Sequence, residues 1–331
     1  MRILVTGGLG YIGSHTCVEL INNGFEVIVI DNLSNSSIEV LDKIKSITNK
    51  NIIFYEGDIT DKNFIKAIFS MHQIDAVIHF AGLKSVLESI AKPIEYFNSN
   101  VLGSINLIEV MNEFKCKKII FSSSATVYGN PISLPINENF QLGYSNPYGQ
   151  TKLVIEDFLR SIYKKDTTWG IAILRYFNPV GAHKSMLIGE SPKGKPNNLM
   201  PLICEVALND REFIDVFGSD YDTKDGTGVR DYIHVVDLSL GHLKALEYIR
   251  NKPELITVNL GTGEGYSVLE MIQTFEKVSG KKIPFRYCNR REGDVAISYS
   301  DTRRAESLLN WKSKYNLHDM CLDTWNWIKN K

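Results

Sequence analysis

The chain has 331 residues, of which 44% are hydrophobic and 23% are charged, which suits a large α/β domain with a smaller second lobe. Its 37 Lys and Arg residues and 38 Asp and Glu residues give a net charge of −1, which argues against nucleic-acid or membrane partners. No apolar run is long enough to span a bilayer, and Met1 leads directly into an apolar strand rather than a signal peptide. Five scattered cysteines predict no disulfide framework or zinc site, so we expect a cytoplasmic location.

Short β-branched runs alternate with longer amphipathic segments through the first half of the chain. The predicted strands are residues 2–6, 26–31, 52–56, 76–80, 118–122 and 169–176, each expected to be buried on both faces. The predicted helices are residues 13–23, 38–48, 61–71, 93–114 and 147–164. This alternation predicts βαβ units and therefore an α/β fold with a Rossmann-type, doubly wound parallel sheet.

The alternation ends near residue 178, where glycine, proline and polar residues crowd segments 181–198 and 220–228. We predict a large domain over residues 1–178 and a smaller α/β lobe over residues 179–331. The lobe is expected to close over the carboxyl edge of the sheet, where open α/β sheets bind ligands. Segments 213–217 and 257–260 could return to the large sheet.

A glycine-rich turn lies directly after the first predicted strand and opens the first helix. Its glycines are Gly7, Gly10 and Gly13, spaced GxxGxxG rather than the GxGxxG of simple dehydrogenases. Glycine permits a tight turn and lets the backbone approach a pyrophosphate at the positive end of the helix. The turn therefore predicts a dinucleotide site.

Asp31 ends the second predicted strand, where a carboxylate can accept from both hydroxyls of an adenosine ribose. A 2′-phosphate would be repelled there, so NAD is favoured over NADP. The alternative is that Asp31 only caps a turn with Asn32. Asp58 and Ile59 follow the third strand, and residues 80–84 follow the fourth, so all of them are expected along the cofactor groove, with Asp58 accepting from the adenine amine.

Tyr148 and Lys152 are four residues apart at the start of a predicted helix, so their side chains share one face. A phenol with a pKa of about 10 is a poor base, but a nearby ammonium and a positive nicotinamide ring would lower that pKa. Tyr148 could then take a proton from a sugar hydroxyl while hydride leaves the same carbon. Ser124, at the end of the fifth strand, would hydrogen-bond the reacting oxygen.

These motifs resemble those of the extended short-chain dehydrogenase/reductases, and among them the UDP-glucose 4-epimerase family. The resemblance covers nearly the whole chain: TGGLGYIGSH at 6–15, HFAGLK at 79–84, SSSATVYG at 122–129, RYFNPVGAH at 175–183, PNNLMP at 196–201, DGTGVRDYIH at 225–234 and RREGD at 290–294. It implies that NAD stays tightly bound while C4 of a UDP-hexose is oxidised to a 4-keto intermediate and reduced from the opposite face. It also implies a role in galactose metabolism and a homodimer that pairs helices from segments 93–114 and 147–164.

The resemblance further implies a role for each matching residue. Tyr148 would be the base, Lys152 its electrostatic partner and Ser124 a proton relay. The cofactor would be held by Gly7, Gly10, Tyr11, Ile12, Gly13, Asp31, Asn32, Asn35, Ser36, Asp58, Ile59, Phe80, Ala81, Gly82, Lys84, Ser99, Ser124, Tyr148, Lys152 and Phe177. The UDP-sugar would be held by Ser124, Tyr148, Asn178, Asn198, Leu199, Val216, Phe217, Arg230, Arg291, Asp294 and Ser298, with the arginines well suited to a diphosphate.

The chain departs from the family pattern at two positions. Ser99 stands where the family commonly has Asn against the cofactor, which weakens one expected contact. Ser298 stands where members restricted to UDP-glucose tend to carry a bulky Tyr, so we expect a pocket that also admits UDP-N-acetylglucosamine and UDP-N-acetylgalactosamine. A shift of one residue would instead place Tyr299 in that pocket.

Two other functions fit parts of the sequence. A nucleotide-sugar 4,6-dehydratase shares the YxxxK motif, but such enzymes use an Asp-Glu pair where this chain has Ala125 and Thr126. A non-catalytic module that senses NAD or UDP-sugars would not need Ser124, Tyr148 and Lys152 together. The seven histidines show no metal-ligand spacing, and His79 and His234 are expected to be hydrogen-bonded core residues.

Overall fold

The computed structural model describes residues 1–194, 196–291 and 293–331. Its strands are β1 Arg2–Thr6, β2 Glu26–Asp31, β3 Ile53–Glu56, β4 Ala76–His79, β5 Lys118–Ser124, β6 Gly170–Tyr176, β7 Asn178–Val180, β8 Ile214–Phe217, β9 Val229–Arg230, β10 Tyr232–His234, β11 Leu255–Leu260, β12 Tyr266–Ser267, β13 Phe285–Cys288 and β14 Ile297–Ser298. Seven of them form a parallel sheet in the order β11-β6-β5-β4-β1-β2-β3. The predicted Rossmann-type sheet is confirmed.

Helices cover both faces of this sheet and build most of the second lobe. They are α1 Tyr11–Asn22, α2 Val40–Thr48, α3 Lys62–Met71, α4 Val86–Ala91, α5 Pro93–Tyr96, α6 Gly103–Glu113, α7 Pro147–Lys165, α8 Leu199–Ala207, α9 Val235–Asn251, α10 Val268–Ser279, α11 Arg303–Leu309 and α12 Leu317–Ile328. Among the described residues, none of these helices is both long and apolar enough to cross a membrane.

The apolar side chains of β1 show how the core is divided. Ile3 and Val5 belong to the cluster that includes α1 and α9, whereas Leu4 belongs to the cluster on the other face, with α3, α6 and α7. Side chains alternate along a strand, so a continuous apolar run covers both faces. The edge strand β3 is the exception, because Ile53 is 44% exposed. The expectation that every strand is buried on both faces is wrong for β3, which has a neighbour on one side only.

The chain crosses between the large sheet and the second lobe after residue 178. Segment 257–260 returns to the large sheet as part of β11, and α9 packs against α1. Segment 213–217 does not return, because β8 pairs with β13 beside an apolar cluster from α8, α10 and α12. The domain boundary at residue 178 stays a prediction.

Candidate active site

The glycine-rich turn after β1 places backbone that carries no side chains at the start of α1. Gly7 has a φ of 68°, and its N–H donates to a carbonyl of β2 at 2.7 Å. A Cβ on Gly13 would lie 2.2 Å from the Gly7 carbonyl oxygen, so only glycine permits this close approach. Gly10, Tyr11 and Ile12 stand at the helix N-terminus, where backbone N–H groups lack intrahelical partners. This cradle fits a pyrophosphate.

Asp31, at the end of β2, is 7% exposed. Its carboxylate accepts from the Leu9 N–H at 3.0 Å, from the Leu33 N–H at 2.9 Å and from the Ser36 hydroxyl at 2.7 Å. Asp31 therefore ties the glycine-rich turn to the loop after β2, so it does hold a turn, although through these partners rather than through Asn32. Its role as a ribose ligand stays a prediction.

Asn32, Asn35 and Asp58 lie further along this edge of the sheet. Asp58 accepts from Asn32 Nδ2 at 2.7 Å and from the Thr60 N–H and hydroxyl at 2.8 and 2.7 Å. Burial raises the pKa of Asp58, but these hydrogen bonds outweigh burial and lower it below its usual 3.8. Asp58 is thus an ionised acceptor, as binding an adenine amine would require. Asn35 Oδ1 accepts from the Lys193 N–H at 3.0 Å.

The loop after β4 is held by a side chain that the sequence did not single out. Asn100 is 2% exposed; its Oδ1 accepts from the Leu83 N–H at 2.7 Å, and its Nδ2 donates to the Leu83 carbonyl at 3.0 Å. The N–H groups of Phe80 and Ala81 donate to the Thr6 carbonyl, each at 3.0 Å. The other predicted cofactor residues here are Gly82, Lys84, Ser99 and Ile59, of which Ile59 is buried.

The three predicted catalytic residues meet at the carboxyl end of β5. Asn146 caps α7 by accepting a backbone N–H at 2.9 Å, which places Tyr148 in the first turn and Lys152 one turn later. Lys152 Nζ donates to the Ser122 carbonyl at 2.8 Å and lies 5.8 Å from the centre of the Tyr148 ring. Ser124, the last residue of β5, lies near enough to the Tyr148 side chain to affect its pKa, and its hydroxyl accepts from the Thr126 N–H at 3.2 Å.

Burial dominates the acid–base properties of this site. Burial raises the pKa of Tyr148, against a smaller lowering by the neighbouring Ser124 hydroxyl. It also lowers the pKa of Lys152 to about 8, which the Glu156 carboxylate opposes. In the chain without a cofactor burial therefore prevails, and the lowered pKa of Tyr148 beside Lys152 and a bound nicotinamide ring stays a prediction.

A buried ion pair lies behind the catalytic residues. Arg175 Nη2 and Nε donate to the two carboxylate oxygens of Glu156 at 2.6 and 3.0 Å, and both side chains are 1% exposed or less. The Ser123 hydroxyl, next to Ser124 on β5, also donates to Glu156. Sequence reasoning missed this pair. A signal was present, because Glu156 follows Lys152 at the same four-residue interval that separates Lys152 from Tyr148.

The residues predicted to hold the UDP-sugar form two groups in the second lobe. Arg230 Nη2 lies 3.7 Å from Asp294 Oδ1, and Ser298 on β14 is the register partner of Arg230 on β9. The Arg291 guanidinium lies 3.8 Å from the centre of the Phe217 ring, a cation–π distance. Val216, next to Phe217, is buried, and Glu292 of the RREGD motif lies outside the described residues.

The remaining predicted ligands lie between the sheet and the lobe. Asn178 starts β7 with an exposed side chain, and Phe177 is buried in a small apolar cluster with Tyr128 and Ile136. Asn198 precedes α8, and its Nδ2 donates to Glu190 at 2.7 Å. Leu199, the first residue of α8, is half-buried.

The histidines predicted to be core residues have hydrogen-bond partners. His79 contacts the Thr6 and Ser104 hydroxyls at 2.7 and 2.9 Å, and His234 Nε2 contacts Asp323 at 3.2 Å. Within residues 1–194, 196–291 and 293–331, no group of three or more His, Cys, Asp or Glu side chains could hold a metal ion.

Known proteins match the sequence and the fold of this protein over nearly the whole chain. A family model described as GDP-mannose 4,6 dehydratase matches residues 4–324. The UDP-glucose 4-epimerase of Bacillus subtilis (strain 168) is 56% identical, over 99% of this chain and 96% of that protein. The crystal structure of UDP-glucose 4-epimerase from Stenotrophomonas maltophila, with NAD and formylated UDP-arabinopyranose, is 50% identical with a TM-score of 0.98, covering 100% of this chain and 98% of that one. The Bifidobacterium longum epimerase, in complex with NAD+ and UDP, is 49% identical with a TM-score of 0.97 at the same coverage.

The sheet, the glycine-rich turn and the Ser-Tyr-Lys site define an extended short-chain dehydrogenase/reductase. Sequence identity then shows the family within this class, because three relatives that are more than 50% identical over nearly their whole length are each named UDP-glucose 4-epimerase. The chain belongs to the UDP-glucose 4-epimerase family.

Proposed function

We propose that this protein interconverts UDP-glucose and UDP-galactose at C4 with tightly bound NAD. The observation that carries the proposal is the convergence of Tyr148, Lys152 and Ser124 at the edge of the sheet that also holds the glycine-rich turn. NAD, when bound, supplies a hydride acceptor that is regenerated in each cycle. The glycine cradle and the carboxylate of Asp31 fit this cofactor.

The residues of the chain transfer the proton, stabilise the charge that forms and hold the substrate. Tyr148 takes the proton of the sugar O4 hydroxyl, and Ser124 hydrogen-bonds that oxygen. The ammonium of Lys152 stabilises the phenolate of Tyr148. Arg230 and Arg291 hold the diphosphate while the hexose turns over, which requires strong contacts to UDP and weak contacts to the sugar.

The 4,6-dehydratase alternative is not favoured, despite the description of the matching family model. Elimination of water needs a carboxylic acid and a base after the catalytic serine. Ala125 and Thr126 occupy those positions, in the short 3₁₀ turn Ala125–Val127, and neither side chain can act as a carboxylic acid. The non-catalytic alternative is weakened by the presence of all three catalytic groups.

The test is turnover of UDP-galactose by purified protein without added cofactor. We expect equilibration with UDP-glucose, no solvent deuterium at C4, and a loss of about 10²- to 10⁴-fold in kcat for Tyr148→Phe. Tyr163→Phe, in the same helix but about four turns further on, is the matched control and should keep the wild-type rate. Equal rates for Tyr148→Phe and the wild type would refute the proposal.

We extend the proposal to N-acetylated UDP-hexoses because Ser298 is small. In a parallel ladder, register partners share a face, so Ser298 lies on the same face of its sheet as Arg230. Tyr299 packs elsewhere, with its ring 3.5 Å from the position of a Cβ on Gly265. This geometry supports Ser298, rather than Tyr299, as the residue beside the sugar.

Steady-state assays with both substrate pairs test this extension. The wild type should epimerise UDP-N-acetylglucosamine, and Ser298→Tyr should reduce that activity at least about tenfold while UDP-galactose turnover changes little. The turnover of UDP-galactose, which carries no N-acetyl group, serves as the internal control. No N-acetyl turnover by the wild type would end the extension and leave the main proposal standing.

The proposal includes a homodimer in the cytoplasm. Exposed apolar side chains on α4 and α5, beside α7, support the helix-pair interface expected from the sequence. All five cysteines are free thiols, and four of them are buried, which suits a reducing compartment.

A further inference from the structure

Glu190 connects two residues that are predicted to bind different ligands. It lies in the loop between β7 and α8, and its side chain is 10% exposed. A single carboxylate oxygen, Oε1, accepts from Lys84 Nζ at 3.2 Å and from Asn198 Nδ2 at 2.7 Å. Lys84 follows β4 at the predicted cofactor groove, and Asn198 precedes α8 among the predicted UDP-sugar residues.

The contact fixes the direction of the Asn198 amide. Asn198 stands at the N-cap position of α8 but makes no side-chain capping bond to its own helix. A carboxylate can only accept hydrogen bonds, so the NH₂ group of Asn198 must face Glu190. Its carbonyl oxygen therefore faces away from Glu190, and no residue in the described part of the chain donates to it, so it can accept from a ligand hydroxyl or N–H.

The loop that carries Glu190 is anchored on both sides of the dinucleotide groove. Lys193 Nζ donates to the Leu33 carbonyl at 2.6 Å, in the loop after β2. The Tyr11 hydroxyl, at the glycine-rich turn, donates to the Gly181 carbonyl at 2.6 Å. Tyr11 and Glu190 line the same cavity, and burial first, and then the charge of Glu190, raises the pKa of Tyr11. These anchors limit how far Glu190 can move.

We propose that Glu190 is a positioning residue that couples the two ligand sites, holding Lys84 for NAD and the Asn198 amide for the UDP-sugar. This inference rests on the proposed function for the identity of the ligands. Glu190 itself is not expected to touch either reacting carbon, so its loss should weaken ligand binding more than it slows the chemical step.

The first experiment measures binding by the NAD-loaded protein without turnover. UDP affinity is measured by calorimetry, and NAD retention by the exchange of bound NAD for labelled NAD. Glu190→Ala should weaken UDP binding about five- to tenfold and speed NAD exchange about fivefold or more. Glu190→Gln keeps an acceptor for Asn198 but loses the charge opposite Lys84, so it should restore UDP binding and leave NAD exchange fast.

Glu205→Ala is the matched control. Glu205 lines the same cavity of about 300 Å³ as Glu190, but its carboxylate pairs with Arg211 at 2.8 Å. Both UDP affinity and NAD exchange should keep their wild-type values in this variant.

Double-mutant cycles separate positioning from a general structural role. The effect of Glu190→Ala on UDP affinity should vanish in an Asn198→Ala background, and its effect on NAD exchange should vanish in a Lys84→Met background. In steady-state assays Glu190→Ala should raise KM while kcat stays within about twofold. Additive effects in both cycles, or wild-type binding in Glu190→Ala, would overturn the inference. A wild type that binds NAD and UDP but does not epimerise would refute the proposed function instead, and the cycles would still report on Glu190.

Discussion

Lys152 is a buried cation whose protonation should limit the reaction on the alkaline side. Burial lowers its pKa from 10.5 to about 8, so the ammonium is lost as the pH rises through 8. We predict that kcat falls across this range, because the phenolate of Tyr148 loses its cationic partner. A pH profile between 6 and 10 checks this prediction.

Two variants of Lys152 act as controls for this profile. Lys152→Arg keeps its charge throughout the range, so its lower activity should lack the fall near pH 8. Lys152→Met should lose at least about 10²-fold in kcat. If the wild type and Lys152→Arg both lost activity above pH 8, the fall in kcat would belong to the titration of another group.

The buried ammonium of Lys152 also affects stability. Since the pKa of Lys152 is lower in the folded chain than in the unfolded chain, the ammonium destabilises the fold below pH 8, and this cost disappears between pH 8 and 10.5.

The sequence predicted those site residues whose partners are close along the chain. Tyr148 and Lys152 are one helical turn apart, and the glycines of the turn are three residues apart, so local spacing was sufficient. Glu190 escaped because its partner Lys84 is 106 residues away and its own segment has no periodicity. The roles of Arg230 and Arg291 came from family resemblance, since an isolated arginine has no local signature.

The helix predicted over residues 93–114 shows that local sequence patterns also fail to reveal an element whose form depends on distant contacts. The structure divides it into α5, a π-helical turn Phe97–Leu102 and α6. This π-helical turn covers only six residues, which is shorter than the window over which apolar periodicity can be judged, so periodicity could not reveal it. Its cause is tertiary, because Asn100 turns inward to bond with Leu83 and, at 3.1 Å, with Thr151 Oγ1 on α7.

This turn yields a stability prediction. Asn100→Ala removes three hydrogen bonds and leaves the partly buried N–H and carbonyl of Leu83 without their side-chain partner, which should cost about 2–4 kcal/mol. The apparent Tm in scanning calorimetry should therefore fall by several degrees. Asn98→Ala, at an exposed position of the same turn, should change the Tm little. Similar Tm values for the two variants would show that the inward contacts of Asn100 do not hold this loop.

At the scale of the whole molecule, the described residues include an exposed apolar face on α4 and α5, and this face leads to the prediction of a homodimer. Leu87, Ile90 and Ile94 are 53%, 60% and 76% exposed, on α4 and α5, which both pack against α7. Large apolar side chains grouped in this way are costly in water and mark an interface. Of these residues only Ile94 lies in segment 93–114, so the pairing of that segment with segment 147–164 expected from family resemblance stays a prediction.

Sedimentation velocity tests the assembly directly. The wild type should sediment as a dimer of the 37.4 kDa chain, and the double variant Ile90→Asp, Ile94→Asp should sediment as a monomer, because two buried carboxylates at the interface would lack partners. Ile53→Lys is the matched control, since Ile53 is also exposed but lies on β3, at the opposite edge of the sheet from β6 and β11. This control should stay dimeric. A double variant that still forms dimers would place the interface on another surface, while a monomeric wild type would show that the exposed face of α4 and α5 has no self-association role.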